Sequence, residues 1–344
     1  VTVGQSSSPA CQAPHTPCTM GRREVNRRNF LTATGTLAGG CLSLAGCVPI
    51  GFGDQPELVW GRRGFSEGRF LKPRAITIDA EDHLYIVDTT GRIQVFDVDG
   101  NLLRWWKTPQ TENGRPTGLA VRPDPVVPSK PRLLVADTHY YRMLSYTPDG
   151  VLNEAEQIGG TAGHAPGEFA FVTDAVCDEQ GCFYIGEYGD SDRIQKFDPD
   201  GNFLTEWGGT GRQPGQFVRP QSLAVRDQVL WVVDACNHRI QRYDLRAPTP
   251  KLIDIWGRQG ERRGEFFYPY DLAIASDGTV LVIEYKNQRI QRFDPQGKWI
   301  ASWGGPGFEP GQLNQPWGLV VDSRDRIHVL DSNNHRVQRI RLPS

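Results

Sequence analysis

Short hydrophobic runs separated by polar turns extend from about residue 57 to the end of the chain. The runs hold four to six residues rich in Val, Ile, Leu and aromatic side chains, and VLWVVD and RIQRYD are examples. Asp-Gly pairs such as Asp149-Gly150 and Asp200-Gly201 stand between them. Such runs are typical of β-strands, and Asp-Gly is typical of the turns that join them. No long stretch with the 3.6-residue period of a helix follows residue 47, so the pattern predicts an all-β fold.

The same phrase recurs through this part of the chain. DACNHRIQRYD, which starts at Asp234, has close copies that start at Asp190, Glu284 and Asp331. When six copies are aligned on one arginine, their separations are 50, 51, 46, 50 and 47 residues. These arginines are Arg92, Arg142, Arg193, Arg239, Arg289 and Arg336. The period is typical of propeller blades, and four short strands in each of six units predict a six-bladed β-propeller.

The two ends of the repeated region complete each other. Residues 57–60 (ELVW) form a lone strand with no blade before it, and the sixth unit stops at Arg341 after three strands. We therefore predict that the N-terminal strand completes the last blade and closes the ring. The propeller is expected to span residues 57–344, after a linker at residues 48–56.

Residues 1–47 have the features of an export signal. NRRNFLT, which starts at Asn26, resembles the twin-arginine motif that directs folded proteins to export. LAGC, which ends at Cys47, resembles a bacterial lipobox, in which the cysteine is acylated and becomes the new N-terminus. Met20 is a natural start for this signal. We expect an exported, membrane-anchored lipoprotein of the cell envelope or periplasm.

Charge and cysteine content restrict the remaining alternatives. The formal net charge is −2 and there is no long basic run, which argues against a nucleic-acid partner. Cys177 and Cys182 stand at the ends of a predicted hairpin. An oxidising envelope permits a disulfide between them, but facing strand positions do not always meet the geometry that a disulfide requires. A disulfide and two free thiols both remain open.

The repeated segments resemble the NHL-repeat family. The shared segments are Pro-x-Gly-Leu-Ala-Val, Val-x-Asp and Asn-x-Arg-Ile-Gln-x-Phe, and the resemblance covers about residues 57–341. It implies the same six-bladed fold. It does not imply one function, because propellers serve as binding modules and as enzymes.

Acids and arginines that recur at the same position of every unit indicate a structural role. An acid ends the second strand of every unit and an arginine starts the third. We interpret these pairs as charge-assisted hydrogen bonds that hold loops. The acids are Asp88, Asp137, Glu187, Asp234, Glu284 and Asp331.

Function is expected where the units differ, at the start of each first strand, on the rim of the central channel. We call these six residues the mouth positions. They are Arg74, Thr117, Thr173, Gln221, Tyr270 and Trp317. Blades three and five depart from the others together, through Asp174 with Glu187-Tyr188 and Asp271 with Glu284-Tyr285. We expect these acids to lie on one solvated arc of the mouth. The ligand-binding candidates are Arg74, Thr117, Asp174, Glu187, Tyr188, Gln221, Tyr270, Asp271, Glu284, Tyr285 and Trp317.

A binding or scaffold module for a protein, peptide or glycan is the leading functional hypothesis. Aromatic rings offer apolar area with a polar tip, which suits such contacts. The expected contact rings are Tyr140, Tyr141, Tyr188, Tyr270, Tyr285 and Trp317. No cofactor is expected under this hypothesis.

A metal-dependent hydrolase or lyase is the alternative. Resemblance to peptidyl-hydroxyglycine lyases implies zinc bound by histidines at the mouth positions, yet no mouth position here is a histidine. The remaining histidines, His139, His164, His238 and His335, are expected in outer loops. Resemblance to lactonase-type propellers instead implies a divalent cation over the channel. Calcium or magnesium would then be bound by the oxygens of Asp174, Glu187, Asp271 and Glu284.

Overall fold

The computed structural model describes residues 55–122 and 131–341, which form six four-stranded antiparallel sheets. The predicted six-bladed propeller is confirmed. The export signal, Met20 and Cys47 lie outside the described residues. The helical segments of the described part are short 3₁₀ turns: Thr138–Tyr140, Glu154–Glu156, Ala235–Asn237 and Ser332–Asn334. None of them is long and apolar enough to cross a membrane.

The blades follow one another along the chain, and each runs from an innermost to an outermost strand. Blade one holds β2 (Pro73–Ile78), β3 (Leu84–Asp88), β4 (Arg92–Phe96) and β5 (Leu102–Lys107); blade two holds β6 (Gly118–Arg122), β7 (Arg132–Asp137), β8 (Arg142–Tyr146) and β9 (Ile158–Gly159). Blade three holds β10 (Phe171–Cys177), β11 (Phe183–Tyr188), β12 (Arg193–Phe197) and β13 (Phe203–Gly208); blade four holds β14 (Pro220–Arg226), β15 (Val229–Asp234), β16 (Arg239–Asp244) and β17 (Lys251–Trp256). Blade five holds β18 (Pro269–Ile274), β19 (Val280–Glu284), β20 (Arg289–Phe293) and β21 (Trp299–Trp303); blade six holds β22 (Gly318–Val321), β23 (Arg326–Asp331), β24 (Arg336–Arg341) and β1 (Leu58–Trp60).

The N-terminal strand closes the ring as predicted. β1 pairs with β24, with Leu58 opposite Arg339 and Trp60 opposite Val337. The Glu57 carboxylate accepts a hydrogen bond from Arg341 Nε at 2.7 Å beside this ladder. β1 precedes blade one in sequence but is the fourth strand of blade six. The N-terminal strand is therefore needed to complete the last blade.

The core lies between neighbouring blades and explains the Trp-Gly and Asp-Gly pairs. Second strands are buried on both faces, whereas β5 and β13 alternate between half-buried and exposed residues. The Trp60 ring of blade six lies against the Asp-Gly turn of blade one, where a Cβ on Gly100 would approach it to 2.6 Å. Gly150 stands in the same relation to Trp106, at 2.5 Å. Both glycines have positive φ, so the turn and the ring contact together require glycine.

The acid–arginine pairs hold the loops, as predicted. In blade four, Arg239 Nε donates to the Asp234 carboxylate at 2.7 Å, and its other nitrogens donate to loop carbonyls at 2.8–3.0 Å. Gln241 also donates to Asp234. All six acids are fully buried, and each pairs with the arginine of its own blade. These charges are therefore committed to the fold.

The disulfide between Cys177 and Cys182 is absent, and both thiols are free. Cys177 pairs with Phe183 in the β10–β11 ladder, so Cys182 is one position out of register with it. Successive side chains of a strand point to opposite faces of the sheet. Cys177 accordingly packs toward blade two and Cys182 toward blade four.

Candidate functional site

Backbone bulges direct four of the mouth positions toward the channel axis. In blade one, Pro73 pairs with Asp88 and Ala75 pairs with Val87, which leaves Arg74 outside the ladder. Thr173, Gln221 and Tyr270 are skipped in the same way in blades three, four and five. A bulge bends its strand and re-aims the extra side chain. The mouth is thus built by a repeated irregularity of the innermost strands.

A second ring of residues stands two positions before the mouth positions. Its members are Lys72, Arg115, Phe171, Arg219, Tyr268 and Gln315. In four of them the backbone is left-handed, with φ of 50° at Lys72, 65° at Arg219, 57° at Tyr268 and 46° at Gln315. Five of the six precede a proline, and this repeated residue-before-proline pattern is the sequence signal that marks the second ring.

Hydrogen bonds between blades fix this second ring. The Lys72 N–H donates to His335 Nδ1 at 2.8 Å, and the Tyr268 N–H donates to His238 Nδ1 at 3.0 Å. The Asp192 side chain accepts the N–H of the second-ring residue of blade four, at 2.9 Å, and the Gln288 side chain accepts that of blade six, at 3.2 Å. In each pair the acceptor belongs to the preceding blade. We call these contacts the blade clasps.

A small cavity lies at the centre of the mouth. Its volume is about 30 Å³, and it is lined by five of the mouth positions together with Asp174, Ser222 and Asp271. A wider space of about 290 Å³ follows below, between the apolar side chains of the first strands. The two aspartates border both spaces. The cavity therefore has room for one small group, and the body of any larger ligand must lie on the open face above it.

Aromatic rings of blades five and six form one side of the mouth. Tyr270 and Trp317 are stacked, with centroids 5.0 Å apart and planes 24° apart. Tyr285 lies 6.1 Å from Tyr270, and Tyr268 lies 5.7 Å from Tyr285. We call these four residues the aromatic wall. Tyr188 stands apart from it, in blade three, stacked on Phe171 at 5.2 Å.

Cationic side chains occupy the space beside the wall. The Arg74 guanidinium lies 5.1 Å from the Trp317 ring centroid, and Lys72 Nζ lies 5.3 Å from it. The Arg219 guanidinium lies 4.3 Å from the Tyr188 centroid, and its Nε donates to Gln221 Oε1 at 2.7 Å. Burial lowers the pKa of Arg74, and the charges of Arg219 and Arg115 lower it further. Burial and Arg74 likewise lower the pKa of Lys72.

Asp174 and Asp271 are buried between blades, so the expected solvated arc is wrong. The Asp174 carboxyl accepts N–H bonds from Leu223 and Ala175, at 3.0 and 2.9 Å. Asp271 accepts from Leu319 and Leu272 N–H, at 3.0 and 2.8 Å, and from Ser222 Oγ at 2.6 Å. Burial raises the pKa of Asp174 to about 8 and that of Asp271 to about 6. Both carboxyls join the innermost strands of adjacent blades.

Glu187 and Glu284 belong to the loop scaffold and do not line the central cavity. Each is fully buried and pairs with the arginine of its own blade, Arg193 or Arg289, at 2.5 Å. Each also accepts a backbone N–H, from Ala170 and from Phe267. With these partners their oxygens are saturated, so the grouping of four acids around one cation does not form.

The two outer tyrosines of blade two also stand away from the central cavity. The Tyr140 hydroxyl bonds to Glu112 at 3.2 Å, and Arg142 lies over its ring at 5.3 Å. The Tyr141 ring lies 6.2 Å from that of Phe171. The predicted contact rings therefore separate into mouth residues and loop residues.

The side chains present do not fit a zinc site at the mouth. His238 and His335 use Nδ1 to accept blade-clasp hydrogen bonds, in blades that are not neighbours. Throughout residues 55–122 and 131–341, three metal-ligating side chains come within 4.8 Å of one another at one place, Asp79, Glu81 and His83. There the Asp79 carboxylate accepts the N–H groups of its own turn, at 2.8 and 3.1 Å. The same arrangement in blade three, around Asp178, marks this as turn architecture.

Comparison with known proteins identifies the repeats. The NHL repeat model matches residues 217–243 and 313–340, in blades four and six. The mouse and rat peptidylglycine α-amidating monooxygenases are each 31% identical over 196 residues, which is 53% of this chain and 18% of theirs. A probable peptidyl-α-hydroxyglycine α-amidating lyase of Caenorhabditis elegans is 33% identical over 85 residues, 23% of this chain and 24% of that protein. The aligned part is thus less than a quarter of the length of these relatives.

Solved structures share the fold at low sequence identity. A streptogramin B lyase aligns with a TM-score of 0.56 and 13% identity, over 82% of this chain and 96% of that one. A gluconolactonase described as putative aligns at 0.59 and 12%, over 83% and 94%. A luciferin-regenerating enzyme aligns at 0.57 and 14%, over 79% and 92%. At these identities the likeness shows the six-bladed architecture alone.

Proposed function

We propose that this NHL-repeat propeller is a binding module that holds the end of a peptide at the mouth of its channel. The observation that carries the proposal is the aromatic wall, where Tyr270 and Trp317 stack directly beside the central cavity. Stacked rings at a rim give a ligand apolar area and ring faces at little loss of side-chain entropy. The bulges that turn the mouth positions inward are also typical of binding sites.

The similar proteins favour a peptide over a glycan. The mammalian and nematode relatives are named for peptidyl-glycine and peptidyl-α-hydroxyglycine. The cavity is small, so a chain terminus fits it better than an internal segment does. A peptide end would place its last residue in the cavity and preceding side chains along the wall.

Titration calorimetry with acetyl-Tyr-Val-Gly tests the proposal. Trp317→Ala should weaken binding by roughly tenfold or more, because it removes the ring that borders the cavity. Trp105→Ala is the matched control, since Trp105 lies on the outer strand of blade one and is 39% exposed. Equal affinities of wild type and Trp317→Ala, or no binding by wild type at millimolar peptide, would reject the wall as a binding surface.

A lyase or hydrolase acting at the same mouth is the second candidate. It is favoured by the names of the sequence relatives and by Asp174, a buried carboxyl at the cavity floor whose pKa burial raises to about 8. A carboxyl with such a pKa can exchange protons near neutral pH. Incubation with a peptidyl-α-hydroxyglycine and chromatography for the peptide amide tests it. Turnover that persists in Asp174→Asn would exclude this carboxyl from the reaction.

Export and lipid anchoring are also part of the proposal. The motif from Asn26 and the cysteine at position 47 support a route across the inner membrane and an acylated N-terminus. Arg27→Lys with Arg28→Lys should block export, and Cys47→Ala should release the protein from membranes. A Cys47→Ala product that still sediments with membranes after an alkaline wash would contradict the anchor.

A further inference from the structure

We propose that the mouth selects ligands with an oxyanion, a carboxylate or a phosphate, and that Arg74, Arg219 and Lys72 bind it. The inference rests on the proposed function, because it names the chemical group that enters the same cavity. It goes beyond the aromatic wall, which by itself favours no ligand charge.

The first step is that Arg74 has unused hydrogen-bond donors. Its Nε is buried and without a partner, and no described residue accepts a hydrogen bond from the rest of its guanidinium. The scaffold arginine Arg239, in contrast, donates to one carboxylate and three carbonyls. A buried donor without an acceptor is unfavourable, and structures retain such groups at functional positions.

The second step is that like charges converge at the mouth and none of them is paired with a carboxylate. Burial lowers the pKa of Arg74 and that of Lys72, and neighbouring cations lower both further: Arg219 and Arg115 act on Arg74, and Arg74 acts on Lys72. Within the described part of the chain, none of these four cations forms an ion pair with a carboxylate. An anion between them would relieve the repulsion and supply the missing acceptors.

The third step concerns the two carboxyls below. Asp174 and Asp271 border the cavity, and an ionised floor would repel an anion. Their oxygens accept hydrogen bonds from backbone N–H groups and from Ser222 Oγ. Burial raises the pKa of Asp174 above neutral, to about 8, so this carboxyl is largely uncharged at pH 7. Burial raises the pKa of Asp271 only to about 6, so this carboxyl supplies the one negative charge of the floor, which the charges of Arg74, Arg219 and Lys72 outnumber.

The fourth step is geometric. Trp317 has Tyr270 stacked on it and the Arg74 guanidinium within 5.1 Å of its ring. The ring thereby holds a planar, forked donor in place at the rim. A planar or tetrahedral oxyanion of a few atoms suits both the fork and a cavity of about 30 Å³.

The test compares acetyl-Tyr-Val-Gly as the free acid with the same peptide as the carboxamide, by calorimetry on the full chain. The free acid should bind roughly tenfold to a hundredfold more tightly, since each charged hydrogen bond is worth about that factor. Arg74→Met should abolish this preference. Arg62→Met is the matched control, because Arg62 is an exposed arginine of the loop between β1 and β2 and its loss changes the net charge equally. Raising the salt concentration should weaken the binding of the free acid and leave the binding of the carboxamide unchanged.

Inorganic phosphate, titrated alone and in competition, separates the two sources of the oxyanion. Competition by phosphate supports an oxyanion site in general, and binding of the free acid without competition assigns it to carboxylates. Equal affinity for acid and amide, unchanged in Arg74→Met, would overturn the inference and leave the proposed peptide site standing. Tighter binding of calcium than of any anion, lost in Asp271→Asn, would also overturn it. Thermal unfolding serves as the folding control. If the unfolding midpoint of Arg74→Met is at or above that of wild type, the loss of binding is due to the missing guanidinium and not to unfolding of the variant.

Discussion

Arginines serve two opposite purposes in this propeller, and the comparison separates scaffold from site. The loop arginines repeat in six blades, and each is paired with a buried acid, as Arg239 is with Asp234. In blades one, three, four, five and six the arginine also donates to backbone carbonyls of the glycine-rich loop, whereas Arg142 of blade two donates to the Gln110 side chain. The arginines of the mouth positions and the second ring do not repeat: they are Arg74, Arg115 and Arg219, and Arg74 carries a buried Nε with no partner. Saturated polar networks stabilise a fold, whereas unsatisfied ones indicate a place where something else is to bind.

The largest expected effect comes from breaking a saturated network. Arg239→Met leaves the fully buried Asp234 carboxylate without its charged partner and frees three loop carbonyls. The free energy of unfolding should fall by about 3–5 kcal/mol, and the melting temperature by roughly 6 °C or more. Arg74→Met should leave the melting temperature unchanged or raise it, because no partner is orphaned. Equal losses in the two variants, measured by calorimetric unfolding, would abolish the distinction between scaffold and mouth.

The part of the molecule predicted from sequence is the part that repeats. The acid–arginine register, the closing strand and the mouth positions all follow from aligning six copies, since equal positions in equal blades share one environment. The second ring was missed because residues such as Lys72 and Arg219 have a left-handed backbone, which the alternation of polar and apolar residues along a strand does not predict.

The prediction that failed concerns contacts between blades. Asp174 was expected in solvent, yet its donor Leu223 lies 49 residues further along the chain. Asp271 likewise accepts from Leu319, 48 residues away. The alternation within one strand cannot reveal such a partner, because the two first strands become neighbours only when the ring forms.

Asp174→Asn tests this contact with an intermediate effect. An amide presents one acceptor where the carboxyl presents two, so the Leu223 or Ala175 N–H loses its partner at a loss of about 1–3 kcal/mol. Because burial raises the folded-state pKa to about 8, this group's contribution is complete below pH 4 and is lost as the pH rises through 8. The deficit of the variant in denaturant unfolding should therefore shrink between pH 5 and pH 9. A deficit that is constant over this range would contradict a raised pKa.

The smallest expected effect distinguishes the blade clasps from one another. His335 Nδ1 accepts the Lys72 N–H at 2.8 Å and must be unprotonated to do so, whereas Gln288 makes the equivalent contact with a side chain that does not titrate. Burial first, then the charges of Arg63 and Lys72, lower the pKa of His335 below its ordinary value of 6.5. The folded state then binds fewer protons than the unfolded chain, so the clasp contributes fully above pH 6.5 and is lost as the pH falls through the folded-state pKa.

His335→Gln should thus match wild type within about 0.5 kcal/mol at pH 8 and exceed it by about 1 kcal/mol at pH 5. Thermal unfolding at the two pH values measures the difference, and Gln288→His should show the reverse dependence in blade five. Identical pH profiles for wild type and His335→Gln would mean that the clasp does not depend on the protonation of this ring. The backbone position of Lys72 would then be independent of the protonation of His335, and any change of anion binding with pH would be due to the carboxyls of the cavity floor.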